Sequence, residues 1–307
     1  MSQVAVSLAG LRAIEALATH GSISAAAVAL GYTPSAVSQQ ILRLERDLRQ
    51  SLVERGGRRA TLTQPGEILA LSARRIIIEL ESMNARLQAD AQTVTGTLTV
   101  AAFPSAARGV LPIAMSRLLG HWPQLQLRLM EVSSHRAVDL VAGGSADLAV
   151  AHDWIGVNVE VPADVVTRHL GDDVSDVLVS SRHPMAAKPD ADLLDFADDA
   201  WLFEPGSVAH EFLLHAFRGV DESVSLGHMI SEYSTQVEMV GAGLGVALAP
   251  RMGRGRLPDT VRAVGVRSPP LRRIFGAWRS SSDGRPAIEA ALQELEHACL
   301  PSQDQPR

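Results

Sequence analysis

The sequence predicts an α/β protein in three parts: a small helical head closed by a hairpin, a long linker helix, and a larger two-lobed half of alternating strands and helices. Three observations carry that prediction. Two short helical patterns meet at a Gly31-Tyr32 turn and lead into a Gly56-Gly57 hairpin. A regular apolar seam runs from Leu69 to Leu87. Beyond residue 93, short β-branched runs alternate with amphipathic segments.

In the head, an alanine-rich helix precedes Gly31-Tyr32, and a second begins at Thr33-Pro34. Thr33 can cap it, and Pro34 sits where a missing N–H costs nothing. Val37, Ile41, Leu44 and Leu48 form one buried stripe, while Ser35, Gln39, Leu42, Arg43 and Arg46 project the other way with Ser38 on the flank. Short hydroxyls and amides reach base edges in a major groove, and arginines reach phosphates or guanine. Taken alone, the helix fits an ordinary surface helix equally well. The next segment favours nucleic acid. Residues 53–62 read as a tight hairpin ringed by Arg55, Arg58 and Arg59, which can straddle a phosphate backbone.

Thr63, Pro65 and Glu67 announce a new helix: a capping threonine, a proline in the first turn and an early acid. Leu69, Ala73, Ile76, Leu80, Met83 and Leu87 follow at alternating spacings of four and three, a heptad seam. Packing on its own domain is one reading of this seam; pairing with a second copy is the favoured one. Residues 93–96 break the pattern as a hinge.

From Thr97 the texture is α/β. Strands are expected at 98–102, 124–132 and 147–151, with helices from 103 to about 119 and over 137–142, a parallel-sheet unit. A second unit has strands at 176–180, 200–203, 224–229 and 246–249, and helices over 193–196, 209–217 and 232–242. A strand at 274–278 and a helix over 286–299 return to the first unit. Two linked α/β lobes imply a cleft between them.

Composition bounds the function. Hydrophobic content of 46% with 20% charged residues describes a globular chain of 307 residues. With no charged-then-apolar opening and no membrane-length apolar run, the expected location is the cytoplasm. The net charge of −6 hides a split: residues 1–92 hold ten arginines against eight acids, a balance of +2 that leaves −8 elsewhere. Basic charge concentrates in residues 35–62. The single Cys299 excludes an internal disulfide and argues against a two-cysteine peroxide sensor. The ten histidines are dispersed and suggest no metal site, and no cofactor is expected. The glycines at 241, 243 and 245 follow a helix rather than a strand, so they lack the geometry of a nucleotide loop.

At this point a family resemblance is plain. GSISAAAVALGYTPSAVSQQILRLERDL followed by SLVERGGRRATLTQPGEILA resembles the winged helix-turn-helix of LysR-type transcriptional regulators. Two positions depart from the family's usual pattern: Pro34-Ser35-Ala36 stands for Gln-Pro-Ala, and Val53-Glu54-Arg55 for Phe-Glu-Arg. GTLTVAAFPSAARGVLPIAMSRLLGHWPQLQL, GGSADLAVA and VEMVGAGLGVALAP are similar to the family's regulatory half, so the likeness covers residues 8 to about 299. It implies a winged helix-turn-helix over 1–62, a dimerising linker helix over 63–92, and a two-lobed, periplasmic-binding-protein-like effector domain over 93–307. It also implies double-stranded DNA as partner, a homodimer or homotetramer built on antiparallel linker helices, and a small-molecule effector between the lobes. The alternative is a solute-binding or enzymatic two-lobed α/β protein whose helical amino terminus merely packs.

Thr33, Pro34, Ser35, Ser38, Gln39 and Arg43 are the expected DNA-reading positions on the helix. Arg55, Arg58 and Arg59 are the expected backbone clamps. For the effector, Ser105 lies at a helix start after the first strand, Ser234 and Thr235 lie early in the 232–242 helix, and His152 and Glu204 lie past strand ends. Ordinary capping or solvent contact is the competing reading of each. This placement suggests a small, anionic metabolite. No catalytic set is assigned.

Overall fold

In the computed structural model the chain is described over residues 6–54, 61–91, 93–188, 191–218 and 225–300. It forms two compact units, one built chiefly from the chain up to Thr93 and the other from most of Val94 onwards.

The first unit runs α1 (Leu8–His20), α2 (Ile23–Leu30), α3 (Pro34–Leu48), β1 (Val53–Glu54), β2 (Thr61–Leu62) and α4 (Gln64–Ala91). Each of the first three helices starts on a hydroxyl: Ser7, Ser22 and Thr33 accept from the N–H groups of Gly10, Ala25 and Ala36. Gly31 ends α2 in the left-handed conformation at φ 68°, which turns the chain sharply into α3. Val37, Ile41 and Leu44 are buried against Leu11, Ile14, Leu17 and Ala27, so the predicted stripe is the head's core. Glu45, on the last turn of α3, accepts from the N–H groups of Leu52 at 2.9 Å and Val53 at 3.3 Å. That carboxylate ties α3 to the hairpin. β1 and β2 pair antiparallel, Val53 opposite Leu62. The hairpin tip, with Gly56, Gly57, Arg55, Arg58 and Arg59, lies outside the described residues.

At the start of α4, Thr63 Oγ1 accepts from Gly66 N–H at 3.2 Å and donates to Ser51 O at 2.7 Å. The seam is divided. Ala73 is buried in the head's core with Ala70, and Leu69 is partly buried against it. Ile76, Met83 and Leu87 are 45%, 49% and 61% exposed. The first two seam positions therefore serve the head itself, and the exposed part of the seam begins at Ile76.

The second unit holds β3 (Gly96–Ala102), α5 (Pro104–Gly109), α6 (Leu111–His121), β4 (Leu125–Glu131), α7 (Ser134–Ala142), β5 (Leu148–Trp154) and β6 (Val165–Ser180). There follow β7 (Trp201–Phe203), α8 (Val208–Ala216), β8 (Leu226–Met229), α9 (Tyr233–Gly241), β9 (Ala247–Pro250), β10 (Val261–Val264), β11 (Leu271–Arg279) and α10 (Pro286–Cys299). One seven-stranded sheet has the order β10-β6-β11-β5-β3-β4, with β9 also on β6; β7 and β8 pair separately. β4, β3 and β5 are parallel, whereas β11, β6, β9 and β10 join antiparallel.

Several expectations are corrected here. The helix expected from 103 to about 119 is two, broken at Val110, because Pro112 cannot donate to the preceding turn. Residues 193–196 form a 3-10 turn rather than an α-helix, closed by the reciprocal Asp192–Asp195 capping box. The strand expected at 176–180 is the end of the 16-residue β6, whose first part pairs with β11 and whose last part pairs with β9 and β10. β10 is a further strand, and the seven-stranded sheet is parallel only across β4, β3 and β5.

A Cβ added at Gly66 would lie 2.1 Å from Leu52 O, a backbone atom that cannot swing away. Gly66→Ala should therefore cost about 1–3 kcal/mol of overpacking strain. Urea denaturation of the full chain checks this, the expected outcome being an earlier loss of the head's transition.

Candidate nucleic-acid interface and effector cleft

On the head, Thr33, Pro34, Ser35, Gln39 and Arg43 are all exposed on α3, and Ser38 is half-buried. Thr33 Oγ1 shares a 3.0 Å hydrogen bond with Ser35 Oγ while capping the helix. Thr33 is thus occupied locally, whereas Gln39 and Arg43 stand clear on the surface. The Arg46 Nε donates back to Leu42 O at 3.4 Å. The arrangement is an amphipathic helix with a polar, cationic outer face on a rigid three-helix base. Among the described residues no single helix is long and apolar enough to cross a membrane.

In the second unit a cavity of about 200 Å³ is lined from both lobes. Phe103, Ser105, Arg108, Glu131, His152, Trp154 and Arg272 contribute from one side; Phe203, Glu204, Tyr233, Gln236 and Arg254 contribute from the other. Its floor is ionic. Arg272, 2% exposed, pairs with Asp173 at 2.7 Å and donates to Ser105 Oγ at 2.9 Å. The second Asp173 oxygen accepts from Met252 N–H at 3.0 Å. Burial lowers the Arg272 pKa from its usual value, and Asp173 opposes that shift. Beside this pair His152 stacks edge-on against Phe103 at 4.6 Å. Burial, then the charge of Arg272 and then His135, hold His152 well below the usual histidine range. It is a neutral imidazole, and its Nδ1 has no hydrogen-bond partner; the buried Trp154 Nε1 also has none. Across the cleft, burial and then Glu131 raise the Glu204 carboxyl.

Of the five expected effector residues, the cleft collects Ser105, His152 and Glu204. Ser105 presents no vacant helix start: α5 has only six residues, and the Ser105 hydroxyl is taken by Arg272. His152 lies within β5 rather than past its end. Ser234 and Thr235 are absent from the lining. Both hydroxyls and both backbone N–H groups bind the carboxylate of Glu232, at 2.6–3.0 Å. The Ser234 hydroxyl, then the Ser234 and Thr235 N–H groups, pull Glu232 down to about 2. The helix start expected to greet a ligand is filled by the chain's own carboxylate. Arg108, Glu131, Tyr233, Gln236, Arg254 and Arg272 line the cavity unforeseen. For Glu131 a signal existed, since it ends the strand beside the Phe103 turn. For Arg272 none did, because the Arg272-Arg273 pair opening a strand reads as surface.

Residues 8–67 match the bacterial regulatory helix-turn-helix protein family of lysR type, and residues 91–300 match the LysR substrate binding domain. This chain is a LysR-type transcriptional regulator. Its relatives include the HTH-type transcriptional activator IlvY of Salmonella typhimurium, 28% identical over 241 residues, covering 76% of this chain and 79% of the relative. Another, from Streptomyces viridosporus, is named "Probable hydrogen peroxide-inducible genes activator"; it is 29% identical over 308 residues, covering 95% and 93%. Among solved structures, a variant of full-length OxyR from Pseudomonas aeruginosa superposes with a TM-score of 0.68 at 23% identity, covering 95% of this chain and 98% of that one. That likeness speaks for the fold. The regulator thus has a DNA-binding head and a carboxy-terminal effector-binding domain, and it is not an enzyme.

His152 makes the regulator's stability depend on pH in a defined direction. Its folded pKa lies below the unfolded value of about 6.5. Its contribution is therefore complete above pH ~6.5 and is lost as pH falls below that value towards the folded pKa. Urea unfolding at pH 7.5 and 5.5 should show a larger loss for wild type than for His152→Gln. Equal losses would mean that His152 is charged in the folded cleft.

Proposed function

We propose that this LysR-type regulator acts in the cytoplasm as a homodimer or a dimer of dimers on a dyad-related site, responding to a small metabolite held between its lobes. The observation that carries the reading is the pairing, in one chain, of a polar α3 face on a capped helical base with a two-walled cavity holding unpaired buried nitrogens. Ser35, Ser38 and Gln39 read base edges, Arg43 holds phosphate or guanine, and Arg55, Arg58 and Arg59 clamp the backbone. Thr33 and Pro34 set the helix start that aims this face. The exposed Ile76, Met83 and Leu87 support pairing with a second linker helix, because a lone helix leaves that seam in water.

The name of the Streptomyces relative invites a peroxide-sensing reading, and Cys299 speaks against it. It is the chain's one cysteine, it is buried, and burial followed by Asp173 pushes its thiol up to about 11. A sensor thiol needs the opposite: exposure and a depressed pKa.

Gln39→Ala should relax preference at one base step and cost about 1–3 kcal/mol, whereas Arg58→Ala should weaken all sequences alike and flatten the salt dependence. Footprinting and titration on the DNA upstream of the regulator's own gene measure both; unchanged affinity and selectivity would refute the assignment. Replacing Ile76 and Leu80 with glutamate should give monomers in sedimentation and remove most specific binding. A variant that stayed dimeric would place the interface elsewhere.

A further inference from the structure

The charges of the cleft are sorted into two poles. Along the first lobe's strand edge the order β4, β3, β5, β11 places Glu131, Phe103, His152 and Arg272 in sequence. Strands lie ~4.8 Å apart, so three steps separate the acidic end from the basic one by roughly 14 Å at the backbone. Glu131 helps to raise the carboxyl of Glu204 on the second lobe, and among the described residues neither carboxylate has a hydrogen-bond or ion-pair partner. At the other end Arg108 adds its charge to that of Arg272; it donates to Gly253 O at 3.3 Å and lies 4.8 Å over the Tyr233 ring, and among the described residues it has no carboxylate partner. The remaining lining charges are spent: Arg254 on Asp176, Arg272 on Asp173, Glu232 on its own helix. Between the poles lie the aromatic faces of Phe103 and Phe203 and the unpartnered nitrogens of His152 and Trp154, both more than nine-tenths buried.

Resting on the effector reading above, we infer that the effector is a small zwitterion. Its cationic amine bridges Glu131 and Glu204 across the lobes, and its carboxylate faces Arg108 and the Trp154 N–H. A purely anionic metabolite would leave two carboxylates repelling each other across the cleft; a purely cationic one would leave Arg108 unmatched. At about 200 Å³ the cavity is smaller than drug-sized sites of roughly 300–1,000 Å³, which limits the ligand to a metabolite of amino-acid size. The amine also supplies a reason for closure, since it converts repulsion between the lobes into attraction.

The test uses the full-length protein in calorimetry with three sets of probes. The first holds the twenty common amino acids and ω-amino acids of three to six carbons, the second the corresponding amines, and the third the corresponding carboxylates. Binding confined to, or at least tenfold tighter in, the first set is expected. Binding by carboxylates alone, or by amines alone, would overturn the zwitterion assignment and leave the effector reading standing; binding by no set would overturn both. For the best probe, the Glu131→Gln/Glu204→Gln double variant and Arg108→Gln should each weaken binding at least tenfold. The double variant should also move preference towards the matched carboxylate. The double variant removes a repulsion and breaks no hydrogen bond or ion pair among the described residues, so its thermal unfolding should come no lower than that of wild type. Unchanged zwitterion affinity in the double variant would sink the proposal.

Discussion

The pair formed by Arg272 and Asp173 is the constraint on which the effector domain is built. A guanidinium this deeply buried is tolerated only when its charge is matched and its donors are occupied; removing one partner of such a pair costs about 3–5 kcal/mol. Asp173 supplies the charge, Ser105 takes another donor, and the Phe103 ring lies 5.0 Å beneath the cation. Because Asp173 also receives Met252 N–H, one carboxylate fixes two strands, the α5 turn and the segment leading to Arg254. His152 is neutral partly because Arg272 stands beside it. That arginine thus fixes both the floor of the cleft and the state of the imidazole beside it.

Close approach of the backbone reinforces the same place. Gly253 takes φ 68°, and a Cβ there would stand 2.3 Å from Ser105 O. No side chain fits between the two lobes at this point. Arg108 can then reach Gly253 O and cover Tyr233, which leaves its guanidinium at the rim rather than in the floor. The head is held differently: hydroxyl caps, left-handed glycine turns at Gly21 and Gly31 and a small aliphatic core suffice.

That contrast explains what could be read from the sequence. In the head, Thr33, Pro34, Gly31 and the Val37–Ile41–Leu44 stripe each act within a few residues, so local rules reach them. In the second unit β6 carries Arg168, Asp172, Asp173 and Asp176 within one strand, and only its end, 176–180, reads as a strand in the sequence. Those charges are tolerated by partners far along the chain: Arg168 by Glu289, Asp173 by Arg272, Asp176 by Arg251 and Arg254. Ser234 and Thr235 misled for a similar reason. Hydroxyls at a helix start look available until the carboxylate of Glu232, two residues before Ser234, is seen to hold both. Ser105 and Glu204 were legible because strand ends in an α/β unit point to one crevice; His152 reaches the same crevice from inside β5, whose last residues extend beyond the expected strand.

The length of β6 sets how the effector domain can move. Its first part belongs to one lobe's sheet and its last part to the other's, without a loop between. A connection of that kind resists sliding and permits rotation about the strand's own axis. Relative motion of lobes joined in this way would spread along the strand as twist instead of gathering at one joint. The residues that bear the twist are not those that meet the ligand, so recognition can be altered at the rim while the mechanical spring beneath it is kept.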